Sequence, residues 1–179
     1  MVTLRPVDVP TDRDALLALD RSFITDRVYR IVRSSHSFSV EEGAAQPPQR
    51  KDFPLADDLG DERTWEQGAI AEHDGVLLGF AAWTHRRWNR RTELWHFYVA
   101  PLARQHGIGR ALMEVVTAAA RTAGMRGIWL ETSTLAYPAI QFYQRMGFEL
   151  CGLDGSLYDP ETVSAEETAL YFYRPLWQV

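Results

Sequence analysis

The chain has 179 residues, 46% hydrophobic and 24% charged, enough for one α/β domain with a real core and too few for two comfortable ones. A formal net charge of -5 argues against generic nucleic-acid binding and is compatible with cationic small molecules. No apolar run approaches the roughly 20 residues that cross a bilayer, the start Met1-Val2-Thr3-Leu4-Arg5-Pro6 has no apolar signal core, and the lone Cys151 excludes an intramolecular disulfide, so a cytoplasmic, reducing setting is expected.

Val2 to Val9 reads as a first strand, and Thr11-Asp12 can cap a helix through Arg13 to Asp20. Val28 to Arg33 and Phe38 to Glu42 alternate apolar and polar residues around Ser34 to Ser37, the pattern of a hairpin. Gly43 to Asp61, with Pro47-Pro48 and the acidic patch Asp57-Asp58, reads as a long surface loop. Thr64 to Glu72, a turn at His73-Asp74-Gly75, and Val76 to His85 form a second hairpin. Arg86 to Arg91 leads into the next strand, Glu93 to Val99, which Ala100-Pro101 ends. The basic run His85 to Arg91 with Trp88 could stack on nucleic acid, but the negative overall charge and its place between two strands favour a plain connection, with contact to a phosphate group left open.

The run Arg104-Gln105-His106-Gly107-Ile108-Gly109-Arg110-Ala111 follows that strand. Downstream, Ile108, Leu112, Val115, Val116, Ala119 and Ala123 recur at helical spacing until Gly124 supplies a stop. Strand, short loop and helix in that order make residues 105 to 110 the unsatisfied donors of a helix N-terminus, where the dipole favours an anion. Gly107 lets the loop turn, Gly109 removes a Cβ from the path of a pyrophosphate, and Arg104 and Arg110 add attraction. The dinucleotide fingerprint lacks its third glycine here, and the G-K-[ST] ending of the P-loop is missing. Further on come a β-prone run Ile128 to Ser133, a helical pattern Tyr137 to Met146, a Gly147-Phe148 exit and a last strand Ala169 to Arg174.

Two stretches carry a resemblance: Arg104 to Ala111, the spacing R-x-x-G-x-G-x-A, and Ala139-Ile140-Gln141-Phe142-Tyr143-Gln144-Arg145-Met146-Gly147-Phe148-Glu149. Together they resemble the GNAT superfamily of acetyl-CoA-dependent N-acetyltransferases. Ala15 to Arg30, Trp88-Asn89-Arg90-Arg91, Cys151-Gly152-Leu153-Asp154 and Leu157-Tyr158-Asp159 look like the streptothricin (nourseothricin) acetyltransferases, a likeness over nearly the full chain. It implies a single GNAT domain over residues 1–179. Its α+β fold would have a mixed, mostly antiparallel central sheet, splayed at the acetyl-CoA site and flanked by helices.

By that resemblance Phe97, Tyr98 and Val99 face the cofactor, with a backbone N–H near Val99 for the thioester oxygen. Arg104, Gln105, His106, Gly107, Ile108, Gly109 and Arg110 would cradle its pyrophosphate. Tyr143 matches the general acid for the departing thiolate; a phenol near pKa 10 giving a proton to a thiolate near 8.5 is uphill by about 2 kcal/mol, which favours a stabilising hydrogen bond over complete early transfer. A lysine-like amine is neutral about once in 2,500 molecules at pH 7, so a base is useful. Glu131 is the first candidate, since its spacing from Tyr143 resembles the ribosomal-protein N-acetyltransferases; an ordering role in the sheet or a water chain stands beside it. His96, which titrates near neutrality, is the second, with simple packing as the alternative.

Two departures matter. Ala136 stands three residues before the alanine of the second motif, where many relatives carry a cofactor-binding asparagine. Trp95, His96 and Tyr98 stand where streptothricin enzymes carry acidic residues. Asp154 is a candidate amine anchor, or a turn-stabilising aspartate. The expected activity is acetyl transfer from acetyl-CoA to a primary amine of a small molecule, a streptothricin-like antibiotic among the candidates, by direct attack without an enzyme nucleophile. No metal cluster is visible, Cys151 has no activating neighbour, and monomer and homodimer stay open. The alternatives are a protein or peptide N-acetyltransferase and a non-catalytic CoA-binding sensor.

Overall fold

Asp74 and Gly75 hold φ of 47° and 78°, the paired left-handed conformation of a two-residue hairpin turn whose twist suits the strands it joins. In the computed structural model, which describes residues 1–164 and 167–177, this turn links β4 (Gln67–His73) to β5 (Val76–Arg86). Beside β4 lies β1 (Thr3–Pro6), and beside β5 lies β6 (Arg91–Val99), every neighbour antiparallel. The order β1-β4-β5-β6 forms the sheet of a first compact unit, built from Met1–Ser22, Asp52–Trp129 and the described residues from Pro175 on. Gly79 to Thr84 of β5 are buried without a break, as expected of a strand covered on both faces.

On this unit sit α1 (Val9–Ala18) and α2 (Ile108–Thr122). Helix α1 begins earlier than the Thr11-Asp12 cap expected from the sequence. Pro10 is tolerated in a first turn, and Asp8 is the residue at the cap: Thr11 Oγ1 donates to Asp8 Oδ2 at 2.6 Å, and the Asp8 amide donates to Asp12 Oδ2 at 2.8 Å. Asp12 also takes a two-pronged bond from Arg5, at 2.9 and 2.7 Å, and is buried. Leu16 and Leu19 pack with Leu55, Leu59, Trp65, Ile70, Phe80 and Ala82. The segment after residue 51, expected to run over the surface, thus plugs two leucines into the core.

Helix α2 buries Ile108, Leu112, Met113, Val116 and Ala120, each large side chain contributing about 1.5–3 kcal/mol as an upper estimate. It lies on β5 at Gly79, where an added Cβ would stand 3.0 Å from Leu112 Cδ1, 3.3 Å from Ile108 Cγ2 and 3.0 Å from the Tyr98 carbonyl oxygen. Met125 to Arg126 then lead into β7 (Gly127–Ser133), which passes from the first unit to the second.

The second unit holds Phe23–Lys51 and Leu130–Arg174. Its long hairpin pairs β2 (Phe23–Arg33) with β3 (Phe38–Lys51) across the expected serine turn, in which the Ser34 amide donates to the Ser37 carbonyl at 2.9 Å. The strand runs well past Glu42, correcting the expected loop from Gly43. Pro47-Pro48 fall in an irregularity between the pairs Thr25↔Gln49 and Arg27↔Ala44, where the ladder asks no donor of them. Helix α3 (Tyr137–Arg145) docks on β2: Gln141 Nε2 donates to the Tyr29 hydroxyl at 2.8 Å and the Tyr29 and Tyr137 rings lie 5.4 Å apart. The order β7-β9-β8 completes the unit, with β8 (Glu149–Asp154) antiparallel to β9 (Ala169–Pro175).

Asp12→Asn is expected to lower the unfolding free energy by about 1–3 kcal/mol at pH 7. The Arg5 hydrogen bonds hold the Asp12 carboxyl below its ordinary 3.8, so this stabilisation is complete above about pH 4 and is lost as pH falls through the lowered value. Urea titrations of both proteins at pH 7 and pH 3 check it; the gap narrows at the lower pH.

Candidate active site

In the first unit the loop between β6 and α2 is shaped by two left-handed residues, Gln105 at φ 65° and Gly107 at φ 82°. Gly107 is the cap residue of α2, its side chain offers no acceptor, and the first turn holds no acidic residue. The amides at the start of this 15-residue helix therefore have no side-chain partner there and carry the positive end of the dipole. Nothing lies within 4 Å of a Cβ built on Gly107, which leaves space beside the cap. An anionic pyrophosphate fits such a cradle.

The expected loop residues divide by role. Gln105, His106 and Arg110 are exposed, Gly109 is half-buried, and Ile108 turns its side chain into the core, leaving only its main chain to a ligand. His106 Nδ1 donates to the Arg104 carbonyl at 2.7 Å. Arg104, expected to draw in phosphate charge, is a strut: Nε donates to the Val99 carbonyl at 2.9 Å and an Nη donates to the Ser22 carbonyl at 2.6 Å. Phe97, Tyr98 and Val99 at the end of β6 are half-buried.

A register shift opposite Ala82 and Trp83 falls beside His96 on β6; such bulges re-aim side chains. His96 is buried, stacked on Phe80 with centroids 6.0 Å apart and met edge-on by Trp65 at 6.5 Å. Its Nδ1 lies 3.2 Å from the Tyr98 hydroxyl, and Nε2, with no hydrogen-bond partner, lies 3.6 Å from Asp58 Oδ2. Burial pushes the imidazole pKa down, Arg21 adds to this, and Asp58 opposes it. Sequence reasoning missed Asp58 as a partner because its acidic patch reads as solvated loop. The basic run closes the β5–β6 connection: Arg86 pairs with Glu93 at 2.7 Å, Arg90 donates to the Gly124 carbonyl at 3.1 Å, and Arg91 lies over the Trp129 ring.

In the second unit Glu131 stands on β7, and the Tyr158 hydroxyl donates to its Oε1. Burial raises the Glu131 pKa first; Tyr158 lowers it, Glu167 raises it, and Lys51 lowers it. Lys51, at the end of β3, forms an ion pair with the buried Glu167. Tyr158, Glu167 and Lys51 went unrecognised as partners; the only signal was Tyr158 in the stretch Leu157 to Asp159. Tyr143 is buried on α3, its ring 5.7 Å from both Phe142 and Phe148. Ala136 caps α3 with no side-chain bond, and the Ser133 hydroxyl accepts from the Leu135 amide at 3.0 Å. Asp154 fits the turn-stabilising reading: it accepts from the Ser156 amide at 2.8 Å and hydroxyl at 2.7 Å, bonds that hold its pKa down. Among the described residues no group of three or more His, Cys, Asp or Glu is placed to hold a metal ion.

Residues 25–148 match the model of the Acetyltransferase (GNAT) family. The chain is 40% identical over 177 residues to the streptothricin acetyltransferase of Streptomyces lavendulae, covering 93% of this chain and 91% of that protein. It is 29% identical over 165 residues to a streptothricin acetyltransferase of Escherichia coli, covering 92% of each. The crystal structure of nourseothricin acetyltransferase matches with a TM-score of 0.88 and 41% identity, over 98% of this chain and 99% of that one.

Gly79→Ala is expected to push α2 off its seat on β5, at about 1–3 kcal/mol of overpacking, and to raise the Kd for coenzyme A several-fold. Gly75→Asn, at a left-handed turn position with open space around it, leaves that Kd unchanged. Calorimetric titration of coenzyme A into both variants checks the pair.

Proposed function

The chain belongs to the GNAT family of acetyltransferases, and from that premise we propose that this acetyl-CoA-dependent N-acetyltransferase acts on a primary amine of a streptothricin-like antibiotic. The observation that carries the binding half is the α2 N-terminus bare of side-chain caps. The acceptor is supported by the full-length likeness to proteins named for streptothricin and nourseothricin. We read residues 1–179 as one catalytic domain, in keeping with a family match that draws on both units, and place the reaction in the cytosol, in keeping with a single cysteine. No helix among the described residues is long and apolar enough to cross a membrane.

Acetyl-CoA supplies the acetyl group as an activated thioester. The main chain of residues 105 to 110 would hold its pyrophosphate, Arg104 keeps that loop tied to β6, and Phe97, Tyr98 and Val99 line the acetyl end. Glu131 takes the proton of the acceptor ammonium, directly or through water, a step that costs roughly 4–5 kcal/mol in water at pH 7. The shifts divide the two base candidates. Burial makes the Glu131 carboxylate more basic and the His96 imidazole less so, which favours Glu131. Tyr143 donates a hydrogen bond from its hydroxyl to the departing sulfur. The Asp154 carboxylate is engaged by Ser156, so its part as an amine anchor is secondary to its turn.

Thiol release with acetyl-CoA across an amine panel tests the proposal. Turnover of streptothricin is expected; turnover confined to peptides, or tight coenzyme A binding without turnover, overturns it. Tyr143→Phe and Glu131→Gln are each expected to lower kcat about 10²-fold or more, and Glu131→Gln removes the acid limb of the pH profile. Unchanged turnover of Tyr143→Phe at every pH removes the acid assignment.

A further inference from the structure

A half-buried carboxylate that must take a proton needs two things: a fixed direction for its lone pairs and neighbours that keep it ionised. Glu131 has a candidate for both in Tyr158, whose hydroxyl donates to Oε1. The backbone around Tyr158 is fixed on both sides. Before it, Asp154 accepts from the amide and hydroxyl of Ser156 at 2.8 and 2.7 Å. After it, Asp159 Oδ1 accepts from the Glu161 amide at 2.9 Å, and its carbonyl accepts from the amides of Thr162 and Val163 at 3.0 and 3.1 Å. Two aspartate-capped turns thus hold one tyrosine between them, a local device that Asx geometry supplies without a regular element.

We propose that Tyr158 is a positioning residue for the acetyl transfer: it clamps Oε1 of Glu131 so that the second oxygen is the one that meets the acceptor amine, with Glu167 and Lys51 setting the charge around it. The inference rests on Glu131 being the base. The groups that face the carboxylate are Tyr158, Glu167, Lys51 and, from β9, Tyr171. Among the described residues, two carboxylates against one lysine leave this cluster with a surplus negative charge, which draws an ammonium in. The Lys51–Glu167 ion pair keeps that surplus to one, so the second carboxylate does not force Glu131 to take up a proton of its own.

The test is the titration of the Glu131 side-chain carboxyl carbon by NMR, assigned through the spectrum of Glu131→Gln, together with the pH profile of kcat/KM. Tyr158→Phe removes the donor and is expected to raise the Glu131 midpoint by about one unit, shifting the acid limb of kcat/KM with it and lowering activity about tenfold on that limb. Above both midpoints kcat falls as well, because the ionised carboxylate has lost the bond that fixes its direction. Glu167→Gln removes a like charge and keeps an acceptor for Lys51, so it moves the midpoint down. Opposite shifts from the two variants, each with a cooperative melt, are not the signature of a merely loosened fold. A Glu131 midpoint that does not move in Tyr158→Phe overturns the inference. A midpoint that moves while the kinetic limb stays put supports the clamp and overturns Glu131 as the base, so the two failures are told apart.

Discussion

The first unit depends on how closely α2 approaches β5. Gly79 is the residue that permits it: any side chain there meets Leu112, Ile108 and the Tyr98 carbonyl at or inside ordinary contact distance. Because Ile108 begins the helix and Tyr98 belongs to β6, one missing Cβ fixes the helix start relative to the strand end. Arg104 fastens the same junction by bonding the Val99 and Ser22 carbonyls. The cradle of bare amides thus hangs from the core. Its direction is set by packing, while what it offers an anion is main-chain donors and the positive end of the helix dipole.

Burial does opposite things to the two base candidates, and the difference is chemical. A carboxyl is neutral when protonated and an imidazole is neutral when not, so the same desolvation raises Glu131 and lowers His96. Each also has one opposing partner, Tyr158 for the carboxylate and Asp58 for the imidazole. The partner of Glu131 is a hydrogen-bond donor, which fixes geometry as well as charge; the partner of His96 sits 3.6 Å away and contributes chiefly field. A ring packed between Phe80 and Trp65 is in effect part of the core.

What the sequence made legible follows from the range of the interaction involved. Asp74-Gly75 announces its hairpin because the turn is encoded in two adjacent residues, and Gly107 announces a helix start for the same reason. Helix α2 was legible because its apolar stripe is long. The start of α1 was misread because Thr11-Asp12 makes an acceptable cap, and only the reciprocal bonds with Asp8 settle the competition. Pro47-Pro48 pointed to a loop, since a ladder normally refuses two prolines; the irregularity that admits them involves β2, some 20 residues away. The bond between Tyr158 and Glu131, 27 residues apart, and the pairing of Lys51 with Glu167, 116 residues apart, join positions that no local pattern relates. Motif resemblance supplied Tyr143 and Glu131 but not their partners, because a motif records residues in a row and a carboxylate's environment is assembled across a fold.

The placement of negative charge bears on the acceptor. The end of β6 carries Trp95, His96 and Tyr98, none of them acidic, and the carboxylate beside it is Asp58, 3.6 Å from His96 Nε2. In the second unit Glu167 disfavours the ionisation of Glu131, and among the described residues one lysine, Lys51, answers the two. Such an arrangement is uneconomical as a stabilising feature, since a buried ion pair roughly breaks even against apolar packing and a second carboxylate beside it adds repulsion. A positive group entering beside the pair relieves that repulsion and is held more strongly than in water because the surroundings are poor in solvent. The cluster is thus least favourable when empty of cations and most favourable with one ammonium bound. In the proposed reaction the same ammonium must then lose its proton to become a nucleophile, and the proposed acceptor is Glu131, whose carboxylate burial makes more basic. On that proposal attraction and deprotonation are two consequences of one partly desolvated cluster.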